Sequence, residues 1–292
     1  MEQIYIYVGL TLLGLCFGSF AAATVWRLRA KQLFQDKHDG EKVPRREYEN
    51  LLPLAKTKTS KDYSRCLHCQ HRLAWYDLIP VLSWLQIGGK CRYCHKPIGW
   101  MEPLAELAVT LFFVGSYMVW PIPLTSGTAI VEFIIWLIAG VMLAILFMYD
   151  LRWFLLPNQV VYPLIGLGAV ATIIHLAPHL DDISKLLSVI GAVAILSGLY
   201  GLLWLLSKGA WIGFGDVKLG LGLALLLGQW DLAIIALFAA NVIGCIIVLP
   251  GMLSGKLKRT SHVPFGPLLI GGYIIAGLWG SQLIDWYFSL TI

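Results

Sequence analysis

At 292 residues, with 58% hydrophobic and 13% charged side chains and a mean hydropathy of +0.73, the chain is far from the balance of a soluble domain. Its formal net charge of +5 needs no nucleic acid to account for it, because the excess falls in one polar segment that the positive-inside bias sets against an anionic leaflet. Composition therefore excludes a soluble enzyme and a nucleic-acid-binding module, and it predicts a polytopic membrane protein.

A bilayer core takes about 20 apolar residues per helix. Eight segments qualify as candidate spans, near 4–26, 103–120, 127–150, 157–177, 183–206, 214–228, 231–250 and 264–290. The first is expected to stay as an anchor, since Glu2 precedes it, Arg27 and Arg29 follow it, and no basic n-region opens it.

Residues 27–100 form the one long polar segment and hold 15 of the 22 Lys and Arg, so they are expected on the cytoplasmic side. Arg152, Lys208, Lys256, Lys258 and Arg259 fall in connections that an eight-span topology with both termini outside also places inside; only Lys185 sits near an outer loop.

Four of the six cysteines lie in this segment as "CLHC" (Cys66, Cys69) and "CRYC" (Cys91, Cys94), with 21 residues between the pairs. Two such knuckles can present four thiolates to one ion, with zinc the first choice and a rubredoxin-like iron or a redox dithiol compatible with the same spacing. Four sulfurs leave no open position, which points to a structural rather than a catalytic metal. The neighbouring Arg65, Arg72, Lys90 and Arg92 would offset the thiolate charge, and His68, His71 and His95 read as surface neighbours. Cys16 and Cys245, alone in apolar spans, read as small packing residues.

Ionisable residues inside spans are costly and mark pathways or reaction centres. Of Glu102, Glu106, Glu132, Asp150, Asp216, Asp231 and Asp285, only Asp150 and Asp216 combine a membrane position with the same expected depth, at the inner edge. Asp150 closes the third span, in "FMYDLRWFLLPN", where Pro157 suits the start of the next helix and Asn158 a local hydrogen bond. Asp216 opens the sixth, in "WIGFGDVKLG", where Gly213 and Gly215 allow close approach of another backbone, such as an extended peptide substrate. Two carboxylates able to share a proton are the working parts of an aspartic protease. Lys218, two residues on, would tune Asp216, meet a substrate or snorkel to the interface. A transporter using membrane acids, or a scaffold built on the cysteine module, are the readings from other classes.

The order of parts resembles the bacterial type IV prepilin peptidases: "GSF" and "RL" (Gly18 to Phe20, Arg27, Leu28), then "CLHCQHRLAWYDLIPVLSWLQIGGKCRYC", "EPLAE", Asp150 with Pro157, and "GFGDVKLG". The resemblance implies that Asp150 and Asp216 are the catalytic pair of a GxGD aspartic protease that removes the basic leader from prepilins or pseudopilins at the cytoplasmic face of the bacterial inner membrane. It implies as well that the new N-terminus is methylated from S-adenosylmethionine, and that the partners are pilus or type II secretion machinery and membrane lipid. Ala22, where these enzymes carry asparagine, and "WMEPLAE" in place of an Arg-Tyr-Pro stretch are departures, and both touch the part of the chain linked with methyl transfer. The expected fold is an all-α bundle of about eight transmembrane helices with a small zinc-binding cytoplasmic domain after the first: 1–26 the first helix, 27–100 the basic loop and four-cysteine domain, and 101–292 the peptidase core.

Overall fold

The structure, a computed structural model, describes residues 2–56, 63–179, 181–255 and 263–290. Lys256, Lys258 and Arg259, which carried part of the expected topology, lie outside these residues. Every helix or strand element among the described residues is a helix, with isolated β-bridges at Arg65 with Arg72 and Lys90 with Pro97. Helices satisfy their own backbone hydrogen bonds, which apolar spans in lipid require. The chain divides into two compact units, residues 1–117 and 118–292.

In the first unit, α1 (Glu2–His38) runs well past Trp26, where the apolar span was expected to end. The polar extension is held by the amphipathic α2 (Arg45–Lys56): Arg29 donates through Nε and Nη2 to the two carboxylate oxygens of Glu47, each at 3.0 Å, and Ala30 and Leu33 bury against Leu51. A short α3 (Leu82–Gln86) follows, then α4 (Met101–Val119), whose last two residues pass into the second unit. The helices α1 and α4 touch through backbone, since a Cβ on Gly18 would lie 2.4 Å from Cα of Glu106. Small residues at such crossings let membrane helices pack without a hydrophobic driving force.

The second unit holds α5 (Gly127–Trp153), α6 (Asn158–Leu176), α7 (Ile183–Val193), a π-helical turn (Ala194–Gly198), α8 (Leu199–Ser207), α9 (Phe214–Leu227), α10 (Trp230–Leu253) and α11 (Gly266–Ser289). Ser126 caps α5 by accepting the Ala129 N–H at 3.1 Å. Gly272 on α11 brings α10 so close that a Cβ there would stand 2.1 Å from the Ala236 carbonyl oxygen.

Among the described residues, seven helices are long and apolar enough to cross a membrane, with α7 to α8 counting as one. The remaining expected segment, α9, is a helix but only 14 residues long. At 1.5 Å per residue it reaches about 21 Å, short of the roughly 30 Å hydrocarbon core. Its start is tied to the Gly213 turn, and Gly228, at φ 66°, ends it.

Crowding at Gly272 makes a packing prediction. Gly272→Ala should cost about 1–3 kcal/mol, seen as a lower thermal midpoint of the purified protein in detergent. Gly166→Ala, on α6 with nothing within 4 Å of the added methyl, should leave the midpoint unchanged or higher.

Candidate active site and four-cysteine centre

Asp150 lies three residues before the end of α5, and the helix stops because Phe154 takes a left-handed conformation, φ 55°. The Asp150 side chain is nearly removed from solvent, with 5% of the residue exposed. Its Oδ2 accepts the backbone N–H of Gly266, the first residue of α11, at 3.0 Å. A Cβ at Gly266 would sit 2.8 Å from that oxygen, so any side chain there would push the carboxylate away.

Asp216 is the third residue of α9, the position from which a carboxylate reaches back to the N-cap backbone, here Gly213. Asp150 and Asp216, sixty-six residues apart in the chain, lie within electrostatic reach of each other. Tertiary packing thus brings together the two acids that the sequence singled out. Three helix ends meet here: the C-terminal end of α5 and the N-terminal ends of α9 and α11.

The two glycines flanking Phe214 differ. A Cβ at Gly215 would lie 3.2 Å from Leu156 Cβ, so this glycine admits the connection between α5 and α6. Gly213 is exposed, with no neighbour nearer than 3.6 Å to its Cβ position. Lys218 donates to Oδ1 of Asn158, and its ammonium lies 5.4 Å from the ring centroids of Tyr162 and Phe214. Asn158 was expected to bond locally; instead it ties α6 to α9 across 60 residues.

Gly266 and Tyr200 escaped sequence reading. Tyr200 is 3% exposed, its hydroxyl has no hydrogen-bond partner, and it lies within electrostatic reach of Asp216. In sequence it is one aromatic residue of an apolar span. For Gly266 the available signal was the Gly-Pro pair opening the last helix, which marks a helix start but not what that start contacts.

In the first unit, Sγ of Cys66, Cys69, Cys91 and Cys94 all lie within 4.8 Å of one another, and Cys66 and Cys94 are 3.8 Å apart. Zinc–sulfur bonds of about 2.3 Å in a tetrahedron put sulfurs about 3.8 Å apart, so the four thiols fit such an ion. The two knuckles are built alike. The Cys66 N–H donates to His71 O at 3.0 Å and the Cys91 N–H to Lys96 O at 2.8 Å, while Gln70 and His95, each four residues past the first cysteine, take positive φ of 60° and 56°.

Burial pushes the Cys66 thiol up to about 12, against donation from the Cys69 and His68 backbone N–H groups. Burial opposes ionisation of Cys91 as well, but the Cys94 and Tyr93 N–H groups carry its thiol down to about 7. His71 stacks on Tyr93 at 3.7 Å, and none of the three histidines joins the cluster. The flanking cations have partners of their own: Arg92 pairs with Asp77 at 2.9 Å, and Arg65 and Arg72 lie over Tyr63. Cys16 and Cys245 are exposed on their helices rather than packed in the core.

Motifs scattered along the first unit converge on Glu106, which is 6% exposed. Its Oε2 accepts the Val81 N–H at 2.7 Å and its carboxylate a bond from Ser19, so "GSF", "LIPVLSWL" and "EPLAE" meet at one carboxylate. The "IGGK" stretch is the turn into the second knuckle, with Gly88 and Gly89 at positive φ.

Residues 12–120 match the Bacterial Peptidase A24 N-terminal domain and residues 137–249 the Type IV leader peptidase family. The prepilin leader peptidase/N-methyltransferase of Aeromonas hydrophila is 31% identical over 267 residues, covering 90% of this chain and 84% of the relative. That of Pseudomonas aeruginosa is 31% identical over 291 residues, covering 96% and 92%, and that of Dichelobacter nodosus 31% over 292, covering 95% and 92%. No solved structure gives a significant match. With both family regions present in order, and relatives aligned along nearly their whole length, the chain belongs to the type IV leader peptidase family.

Proposed function

We propose that the chain is a membrane aspartic endopeptidase that removes the short basic leader from prepilins or pseudopilins, with Asp150 and Asp216 as its catalytic pair, and that it methylates the amine so released. The observation that carries the reading is the convergence of these two carboxylates at three helix ends within one compact unit. Transport finds no support in the family.

In an aspartic dyad the two carboxylates share one proton. The ionised member takes a proton from water as its oxygen adds to the scissile carbonyl carbon, and the protonated member donates to the carbonyl oxygen. Collapse then breaks the C–N bond, and the dyad returns a proton to the leaving amine. Gly266 N–H orients Oδ2 of Asp150 for this work, and the N-terminus of α9 orients Asp216. The open backbone at Gly213 suits an extended peptide, Gly215 makes room for Leu156 beneath it, and Lys218, held by Asn158, fixes the following turn.

In this reading residues 1–26 anchor the chain, 27–100 form a zinc-bound module on the cytoplasmic side and 101–292 form the peptidase core. The positive-inside bias puts the dyad at the same face, at the inner membrane of a bacterium, where a basic leader would lie. Pilus or type II secretion machinery would consume the product. Zinc held by Cys66, Cys69, Cys91 and Cys94 would cross-link the two knuckles and take no part in cleavage. For S-adenosylmethionine as methyl donor, no nucleotide-binding glycine motif stands out in the sequence, and no step is assigned to particular residues.

Two measurements test this. Purified protein incubated with a synthetic prepilin should release the leader, as read by mass spectrometry. Asp150→Asn and Asp216→Asn should each cut at least about a thousandfold more slowly while unfolding at the wild-type temperature. Equal cleavage by either variant would sink the dyad. A methyl mass added to the mature product only with S-adenosylmethionine present would establish the second activity. Elemental analysis should find about one zinc per chain, lost in Cys69→Ser or Cys94→Ser; iron in its place, or metal retained by both variants, would refute the assignment.

A further inference from the structure

Tyr200 holds a position that packing alone does not explain. The chain reaches it through the π-helical turn Ala194–Gly198, whose wider winding changes which residues of α8 face α9. The turn before Tyr200 and the α8 residue after it both pack onto α9. Ser197 Oγ donates to Val217 O at 3.0 Å, and Gly220 has no side chain where the Leu196 carbonyl oxygen would stand 2.1 Å from a Cβ. Beyond Tyr200, the Cβ position of Gly201 lies 3.6 Å from Cγ1 of Val217. The residue after Asp216 is therefore held from both sides, and Tyr200 is carried in beside the aspartate.

The Tyr200 ring meets Phe265 edge-on, with centroids 5.2 Å apart. Phe265 is the N-cap of α11, next to the Gly266 N–H that holds Asp150. The tyrosine thus touches the framework of both aspartates. Its hydroxyl is buried without a hydrogen-bond partner. A buried donor left unpaired is costly. Among the described residues of this unit, the other buried side-chain polar atoms without a partner are on Trp120 and His175. Trp120 packs on Phe133 and Trp136, and His175 lies beside Gly228, at the end of α9 away from Asp216. Of the three, Tyr200 is the one that lies within electrostatic reach of Asp216.

We propose that Tyr200 is a third catalytic residue, whose hydroxyl completes its hydrogen bonding only when a substrate carbonyl enters and whose strongest partner is the oxygen of the tetrahedral intermediate. The inference rests on the peptidase reading. As water oxygen bonds to the carbonyl carbon, the C=O π pair moves onto the carbonyl oxygen. The protonated aspartate supplies that oxygen with a proton, the other aspartate takes the proton from water, and Tyr200 donates a hydrogen bond without giving up its own proton. The donor then serves the transition state more than the bound substrate, which places its effect in kcat.

The test is Tyr200→Phe, which keeps the ring against Phe265 and removes only the oxygen, assayed on a synthetic prepilin beside wild type and Asp216→Asn. The expected result is a kcat lower by about ten- to a hundredfold, with KM within about twofold and an unchanged thermal midpoint. Affinity for a prepilin analogue with a hydroxyethylene at the scissile bond, which mimics the tetrahedral carbon, should fall with kcat. Wild-type kcat in Tyr200→Phe would overturn the assignment, as would a raised KM together with a lowered midpoint, which marks a packing role. Cleavage by wild type but not Asp216→Asn leaves the peptidase reading standing whatever Tyr200→Phe does; an inert wild type overturns both.

Discussion

A carboxylate taken out of water is tolerated only where donors replace the water it loses. Asp150 sits near the C-terminal end of its own helix, where the backbone dipole is unfavourable to an anion, and the Gly266 N–H at the start of α11 answers it. Asp216 is placed at the start of α9, beside the Gly213 backbone. The proposed reaction centre is thus an assembly of helix ends. The rest of the second unit brings those ends to one point.

That assembly depends on close approach. Gly266 admits the Asp150 carboxylate, Gly215 admits Leu156, Gly220 admits the Leu196 carbonyl and Gly272 admits Ala236. None of these glycines is needed for a left-handed turn; each is a missing side chain where another part of the molecule must pass. The first unit uses the same device at Gly18, beneath the buried Glu106 that gathers three separated sequence motifs.

Much of this was legible in the sequence, for physical reasons. Long apolar runs admit few alternatives to spanning helices, and two CxxC pairs at one spacing admit few alternatives to a shared cluster. Asp150 and Asp216 stood out because ionisable groups are rare in apolar helices. What was not legible depends on contacts distant in the chain. The extension of α1 to His38 needs Glu47 and Leu51 to hold it, Asn158 bonds Lys218 rather than its own turn, and Gly266 and Tyr200 gain meaning only from the aspartates they approach. The repeated left-handed residues at Gln70 and His95 carry no glycine to announce them.

Hydrolysis in a membrane consumes water as surely as peptide, and the shortness of α9 bears on where that water comes from. A helix of 14 residues leaves about 9 Å of hydrocarbon thickness unspanned by its own backbone. Either the bilayer thins around it or the segment Lys208–Gly213 sits below the headgroups, where irregular backbone persists only beside protein or a wet cavity. Both arrangements shorten the path from bulk solvent to Asp216, which lies in the first turn of that helix. In the proposed reading, a helix too short to cross the hydrocarbon leaves water a way to its first turn, where Asp216 stands.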